Sequence, residues 1–292
     1  MTSEVGEIEG RGADSPAEMR KRHSMLVRRP PVWVAQLLIA VVILAGWQWL
    51  PDVRWVTNTF NFASPFFISS PSQIAVEIWH MLIGGAHVPL LWSPLAQTLL
   101  SALLGTALGI AIGLAAGLVL SSSAYLQAVA RPYVLALNAV PRVAVIPIIV
   151  LIVASAFAAD VITAFTVVVF LVFFNAFEGA STVDRDIIAN VKILGAGRFD
   201  ILWRVRRPLA VAWTFASIPN AIAFGLVGTV TTEIFTGSSG IGQLLIAGVD
   251  TSNATLTFAV VGELTIVGVL LVVISMTLRR RVLHWMPESS VG

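Results

Sequence analysis

From Leu95 to Leu120 the chain reads LAQTLLSALLGTALGIAIGLAAGLVL, without one ionisable side chain. As a helix these 26 residues extend about 39 Å, whereas the hydrocarbon core of a bilayer is about 30 Å thick. In lipid no water can serve an unpaired backbone group, so a run of this kind must close its own hydrogen bonds as a helix. Five further apolar runs, four of them with a single Asp, Glu or Arg, are Val32–Leu50, Pro132–Ala158, Asp160–Ala176, Leu209–Phe235 and Ala254–Leu278. The whole chain is 57% hydrophobic and only 12% charged, against about 25% charged residues in soluble domains. The expectation is an all-α polytopic membrane protein with six transmembrane helices.

The polar segment 1–31 is expected to be a disordered cytoplasmic tail, and residues 32–286 the membrane domain. A basic stretch followed by an apolar run also describes a signal peptide, whose apolar region is about 7–15 residues long. Val32–Leu50 is longer and ends in Trp47, Trp49 and Pro51, which suits a retained span with an aromatic belt. With the N-terminus inside, sixteen of the eighteen Lys/Arg residues fall on cytoplasmic segments. Only Arg54 falls outside and Arg142 within a span. Cytoplasmic loops carry such an excess, so both termini are expected in the cytoplasm. Pro71–Leu82 reads as a short amphipathic helix lying at the interface.

Gly105, Gly109, Gly113 and Gly117 form a small-residue ladder at helical spacing in the second expected span. Such a face lets another backbone approach closely, either within this chain or on a second copy. Pro141 and Pro147 should kink the third span. There is no cysteine, which excludes disulfides and thiolate metal sites. Neither Lys21 nor Lys192 sits in G-x-x-x-x-G-K-[ST], so no Walker-type ATP site is present. The four histidines, at 23, 80, 87 and 284, have no metal-ligand spacing. No catalytic constellation and no nucleic-acid partner are expected.

An ionisable group inside a span is a functional candidate by default. Arg142 lies about 15 Å into the third span if that span is one helix, and Asn138 one turn earlier could share its face. Glu263 lies about 14 Å into the sixth. These three are the translocation-path candidates, and Arg142 tilts the expected solute toward an anion. Asp160 and Glu178 sit near opposite ends of the fourth span, where interfacial water would solvate them.

The stretch Ile187–Pro208, IIANVKILGAGRFDILWRVRRP, breaks the apolar pattern. Ile187, Val191 and Leu194 share a helical face, and Phe199, Leu202 and Val205 mark a second one. Gly195 and Gly197 between them argue for a bend, because glycine costs about 1 kcal/mol in a helix interior. Pro208 would open the next span, where its missing N–H costs nothing. The result is a basic helix–bend–helix on the cytoplasmic side. It suits either anionic lipid headgroups or the groove of a cytoplasmic partner.

This stretch resembles the cytoplasmic coupling loop of bacterial ABC-importer permease subunits, in the nitrate/sulfonate/taurine-type branch. Ala189-Asn190-Val191-Lys192-Ile193-Leu194-Gly195-Ala196-Gly197-Arg198, then nine residues, then Pro208, is similar to that family's EAA-x-x-L-G-A-S-R pattern and spacing. Ala189 stands where the family usually has glutamate. Further resemblances are Pro65-Phe-Phe with Pro71-Ser72-Gln73-Ile74, Pro141-Arg142-Val143-Ala144-Val145-Ile146-Pro147, and Thr232-Glu233-Ile234 with Ser238-Ser239-Gly240-Ile241-Gly242.

The resemblance implies a type I ABC-importer permease architecture in the bacterial inner membrane, with a coupling loop at 180–207. Within it, Ala189, Asn190, Leu194, Gly195, Ala196, Gly197 and Arg198 would contact the ATPase. Glu233, Ser239, Gly240 and Gly242 would belong to an outer gate. The implied partners are cytoplasmic ATPase subunits, an extracytoplasmic solute-binding protein and a second permease copy or paralogue. ATP would be bound by the ATPase, with no cofactor in this chain. The implied solute is small: a sulfonate, taurine, nitrate or a pyrimidine vitamin precursor. An ATP-independent carrier or channel is the alternative, weakened by the absence of an internal repeat.

Overall fold

The computed structural model describes residues 31–49, 68–84 and 90–282, and every regular element among them is a helix. The tail, Arg54, Pro65–Phe67, and His23, His87 and His284 lie outside the described residues. The elements are α1 (Val32–Trp49), α2 (Pro71–Ile83), α3 (Trp92–Ser121), α4 (Ala124–Asn138), α5 (Arg142–Ile152), α6 (Ala156–Ser181), α7 (Arg185–Ile193), α8 (Arg198–Thr236), α9 (Ile241–Asp250) and α10 (Ala254–Val282). Five of them, α1, α3, α6, α8 and α10, are long and apolar enough to cross a membrane.

The chain divides into two compact units at Trp49. The first holds α1, which is apolar all round, as suits a helix of a membrane protein. The second holds the other helices, and its core is the packing of α3, α6 and α8 on one another. The glycine ladder forms the seam between α3 and α6. A Cβ on Gly105 would stand 2.5 Å from the Val161 carbonyl oxygen, one on Gly113 2.7 Å from that of Val169, and one on Gly117 2.7 Å from Ala176 Cβ. Backbone lies against backbone, which only glycine allows. Gly225 of α8 instead makes room for a side chain, the Thr106 hydroxyl of α3.

The third expected span, Pro132–Ala158, is not one helix. α4 and α5 are separated by a turn at Ala139–Val140 and by Pro141 in an extended conformation (φ −70°, ψ 98°). Proline cannot donate to the preceding turn and drives the residue before it out of helical geometry. Residues Ala156–Ala158 belong instead to α6, which Ser155 caps by accepting from the Ala158 N–H. Pro208 stands in the first turn of the α-helical stretch Arg207–Thr236, as expected, but no break precedes it. It lies within α8, directly after Ile201–Arg206, which run in π register. That wider turn falls where the missing N–H interrupts the ladder, so the helix passes through.

Candidate functional site

At the end of the core where α3 and α6 finish and α8 begins, α7 and the first turns of α8 form a helix–bend–helix. Asp184 caps α7 by accepting from the Asp186 N–H at 2.9 Å. The helix closes with Gly195 N–H donating to Lys192 O at 2.9 Å and Ala196 N–H to Val191 O at 3.0 Å. This crossed pair requires a left-handed residue, and Gly195 supplies it with φ +89°. Gly197 then starts α8, its N–H bonded to Asp200 Oδ2 at 3.2 Å. The two arms enclose a hollow of about 340 Å3 lined by Val191, Leu194, Ala196, Asp200, Ile201 and Arg204.

The bend presents its apolar residues outward. Ile193 is 82%, Leu194 84% and Phe199 69% exposed. Ala189, Asn190 and Arg198 are exposed beside them. Phe199, Trp203 and Arg207 form one stripe along α8: the two rings lie 5.7 Å apart and the Arg207 guanidinium sits 4.5 Å over the indole. Arg206, the residue before Arg207, is buried, and its Nε and one terminal nitrogen have no partner among the described residues.

At the opposite end, Glu233 is fully buried near the close of α8. Its Oε1 accepts from Thr98 Oγ1 of α3 at 2.7 Å, and its Oε2 from the Gly242 N–H of α9 at 2.8 Å. Thr98 Oγ1 in turn accepts from the Ile241 N–H at 2.9 Å. The first N–H groups of a helix have no partner within it, and Gly240, at the N-cap of α9, has no side chain to offer. Thr98 and Glu233 do that capping from two other helices, and a carboxylate there also meets the positive end of the helix dipole. Gly240 and Gly242 press directly on the Glu233 side chain, leaving no room for a Cβ at either. Ser238 donates to Asp160 Oδ2 at 3.3 Å, so α6 holds the same loop. Asp160 is thus fully buried rather than solvated at an interface, while Glu178 is exposed. Ser239 lies in the connecting loop.

The three path candidates are not brought together as one helix face. Asn138 ends α4 and Arg142 begins α5, with the break between them. The 15 Å depth expected for Arg142 assumed a continuous helix and does not hold. Glu263 lies on α10, 3% exposed, and neither carboxylate oxygen has a hydrogen-bond partner among the described residues. Those residues contain no cluster of three or more metal-ligating side chains. Sequence reasoning missed Thr98. The available signal was a hydroxyl one turn into a charge-free run that also holds Ser101 and Thr106, and nothing local ties it to a glutamate 135 residues away.

Residues 109–286 match the family described as binding-protein-dependent transport system inner membrane component. The chain belongs to that family. Across 220 residues this permease is 30% identical to the riboflavin transport system permease protein of Chloroflexus aurantiacus, over 75% of its own length and 81% of that relative's. It is 22% identical to the taurine transport system permease protein of Escherichia coli over 242 residues, 82% and 87% of the two chains. Its fold is similar to that in the crystal structure of an amino acid ABC transporter with histidines (TM-score 0.56, 17% identity), over 71% of this chain and 96% of that one. The protein is therefore an inner-membrane permease of the ABC-importer class for a small solute, with the helical fold expected of it.

Proposed function

We propose that this permease is the solute path of an ATP-driven importer, and that its helix–bend–helix is the seat of a separate cytoplasmic ATPase. The observation that carries the reading is the knuckle of Ile193, Leu194 and Phe199, more than two-thirds exposed on a basic element between spans. Large apolar side chains held outward on a rigid bend suit a groove in a partner. The basic end then faces the cytoplasm with both termini, and α9 faces outside, where a solute-binding protein would dock. Two permease chains would enclose the path and alternate its access. This chain transmits and does not catalyse; ATP belongs to the companion.

The relatives named for riboflavin and taurine transport support a small organic solute, and Arg142 supports an anion. Neutralising Arg142 as Arg142→Gln should lower uptake by at least about tenfold, the scale of one charged hydrogen bond, without loss of the complex. Uptake at the unmodified rate would remove Arg142 from the path.

The test of the whole reading is purification of the chain from its own membranes in mild detergent, with companions identified by mass spectrometry. An ATPase bearing a Walker motif and an extracytoplasmic binding protein are the expected companions. A chain that purifies alone, and transports down an ion gradient with ATP depleted, is instead a secondary carrier.

A further inference from the structure

We infer that Glu233 and Thr98 anchor the outer end of a lever, α8, that carries a push on the outer face to the coupling bend. This rests on the proposed seating of the ATPase at the bend and of the binding protein at the opposite face. Three observations support it. First, α8 is continuous over 39 residues, from Arg198 beside the bend to Thr236 beside the clamp, a length of about 58 Å. Second, α9 has ten residues, too few to cross a membrane, and its first turn is held by side chains of α3 and α8 rather than by its own cap. Third, the clamp is fully buried and fully satisfied: Glu233 and Thr98 are both 0% exposed, and neither has an unpartnered oxygen.

Swinging α9 away on its own would strand a buried carboxylate and two helix-start N–H groups without partners, which is the expensive way to break hydrogen bonds. Separation from Glu233 is therefore the costly motion, and joint motion with α3 and α8 the cheap one. Glycine at 240 and 242 is what permits the contact, because any side chain there would displace the carboxylate. The loop behaves as a joint fastened shut, and the outer mouth opens between this fastened unit and a neighbouring body. Glu233 and Thr98 are positioning residues: they touch no solute and act through α8.

The test uses the complete transporter in proteoliposomes, with its ATPase and binding protein. Thr98→Val removes the shared hydroxyl at nearly constant volume, and Thr98→Ser restores it. Thr98→Val should reduce the stimulation of ATP hydrolysis by the binding protein about tenfold or more, while the ATPase stays bound and its unstimulated hydrolysis persists. Thr98→Ser should recover stimulation.

The second measurement exploits the absence of cysteine. Spin labels at Gln97→Cys on α3 and Gln243→Cys on α9 should give one narrow distance, unchanged between the nucleotide-free and ATP-bound transporter, and a broadened one with Thr98→Val. Full stimulation in Thr98→Val, or a label distance that changes with nucleotide in the otherwise unmodified chain, overturns the lever alone. An unmodified chain that binds no ATPase overturns the lever and the proposed function together.

Discussion

Gly195→Val will leave the permease folded and strip it of its ATPase. Gly195 has φ +89°, where a β-branched residue is a genuine outlier, and the left-handed side costs an ordinary L-residue roughly 1–2 kcal/mol. Nothing lies within 4 Å of a Cβ built there, so no clash disturbs the core. The strain is relieved locally, by unwinding the crossed bonds to Lys192 and Val191 that close α7. That rotates Leu194 away from Phe199 and spoils the knuckle as a rigid shape. A penalty of this size shifts an equilibrium about 5- to 30-fold, and the branched side chain also protrudes from the face meant for the groove. Gly195→Asn should lie between wild type and valine, because asparagine tolerates positive φ. The measurement is the ratio of ATPase to permease after purification, beside the melting midpoint in detergent. A valine variant that holds its ATPase at the wild-type ratio removes the bend from the coupling role. A midpoint that collapses shows the bend to be structural.

What the sequence made legible follows the range of the forces involved. Apolar run length is read within one segment, and the expected spans Val32–Leu50, Leu95–Leu120 and Ala254–Leu278 differ from α1, α3 and α10 by at most four residues at either end. The bend was legible because two glycines within three residues cannot continue a helix, and Gly195 indeed has positive φ. The broken third crossing was half legible. Pro141 stood in view, but unbroken hydropathy from Pro132 onward concealed the fact that α4 starts at Ala124 and ends before the proline. Hydropathy measures partition into lipid and is blind to a turn made of apolar residues. Pro208 does stand at a first α-helical turn, but the π register that joins it without a break to the preceding arm has no local signature. The clamp was out of reach altogether. Thr98, Asp160, Glu233 and Gly242 lie on four elements, and only the packing of α3, α6 and α8 brings them together. Resemblance alone singled out Glu233, Gly240 and Gly242, as parts of an outer gate and not as a contact, although a gate suggests flexible backbone. In the structure the glycines serve close approach, not flexibility.

The second large effect concerns the glycine ladder. Gly113→Ala is expected to destabilise the permease by about 2–3 kcal/mol, and Gly113→Leu to abolish the folded state. Adding even one methylene to a filled core costs about 1–3 kcal/mol. At Gly113 the obstacles are the Val169 carbonyl oxygen at 2.7 Å and the Phe173 nitrogen at 3.0 Å, backbone atoms that cannot rotate aside. The helices must then part along their length, because the same seam is set by Gly105, Gly109 and Gly117, and α8 rests on both partners. At Gly109 the obstacles are Val168 Cβ and Cγ1 at 2.8 Å and the Val169 nitrogen at 3.0 Å; a valine Cβ is fixed by its backbone and its χ1 is stiff, so Gly109→Ala should cost a similar amount. Gly46→Ala on α1 meets nothing within 4 Å and serves as the control for helix propensity alone. Melting midpoints and monodispersity in one detergent separate the cases. A near-neutral Gly46→Ala beside damaging Gly109→Ala and Gly113→Ala follows from close contact within the chain. A Gly113→Ala chain that melts like wild type yet loses a second copy would mean that the ladder is spent on another subunit, since only then could the α3–α6 seam absorb a methyl group that this geometry has no room to take.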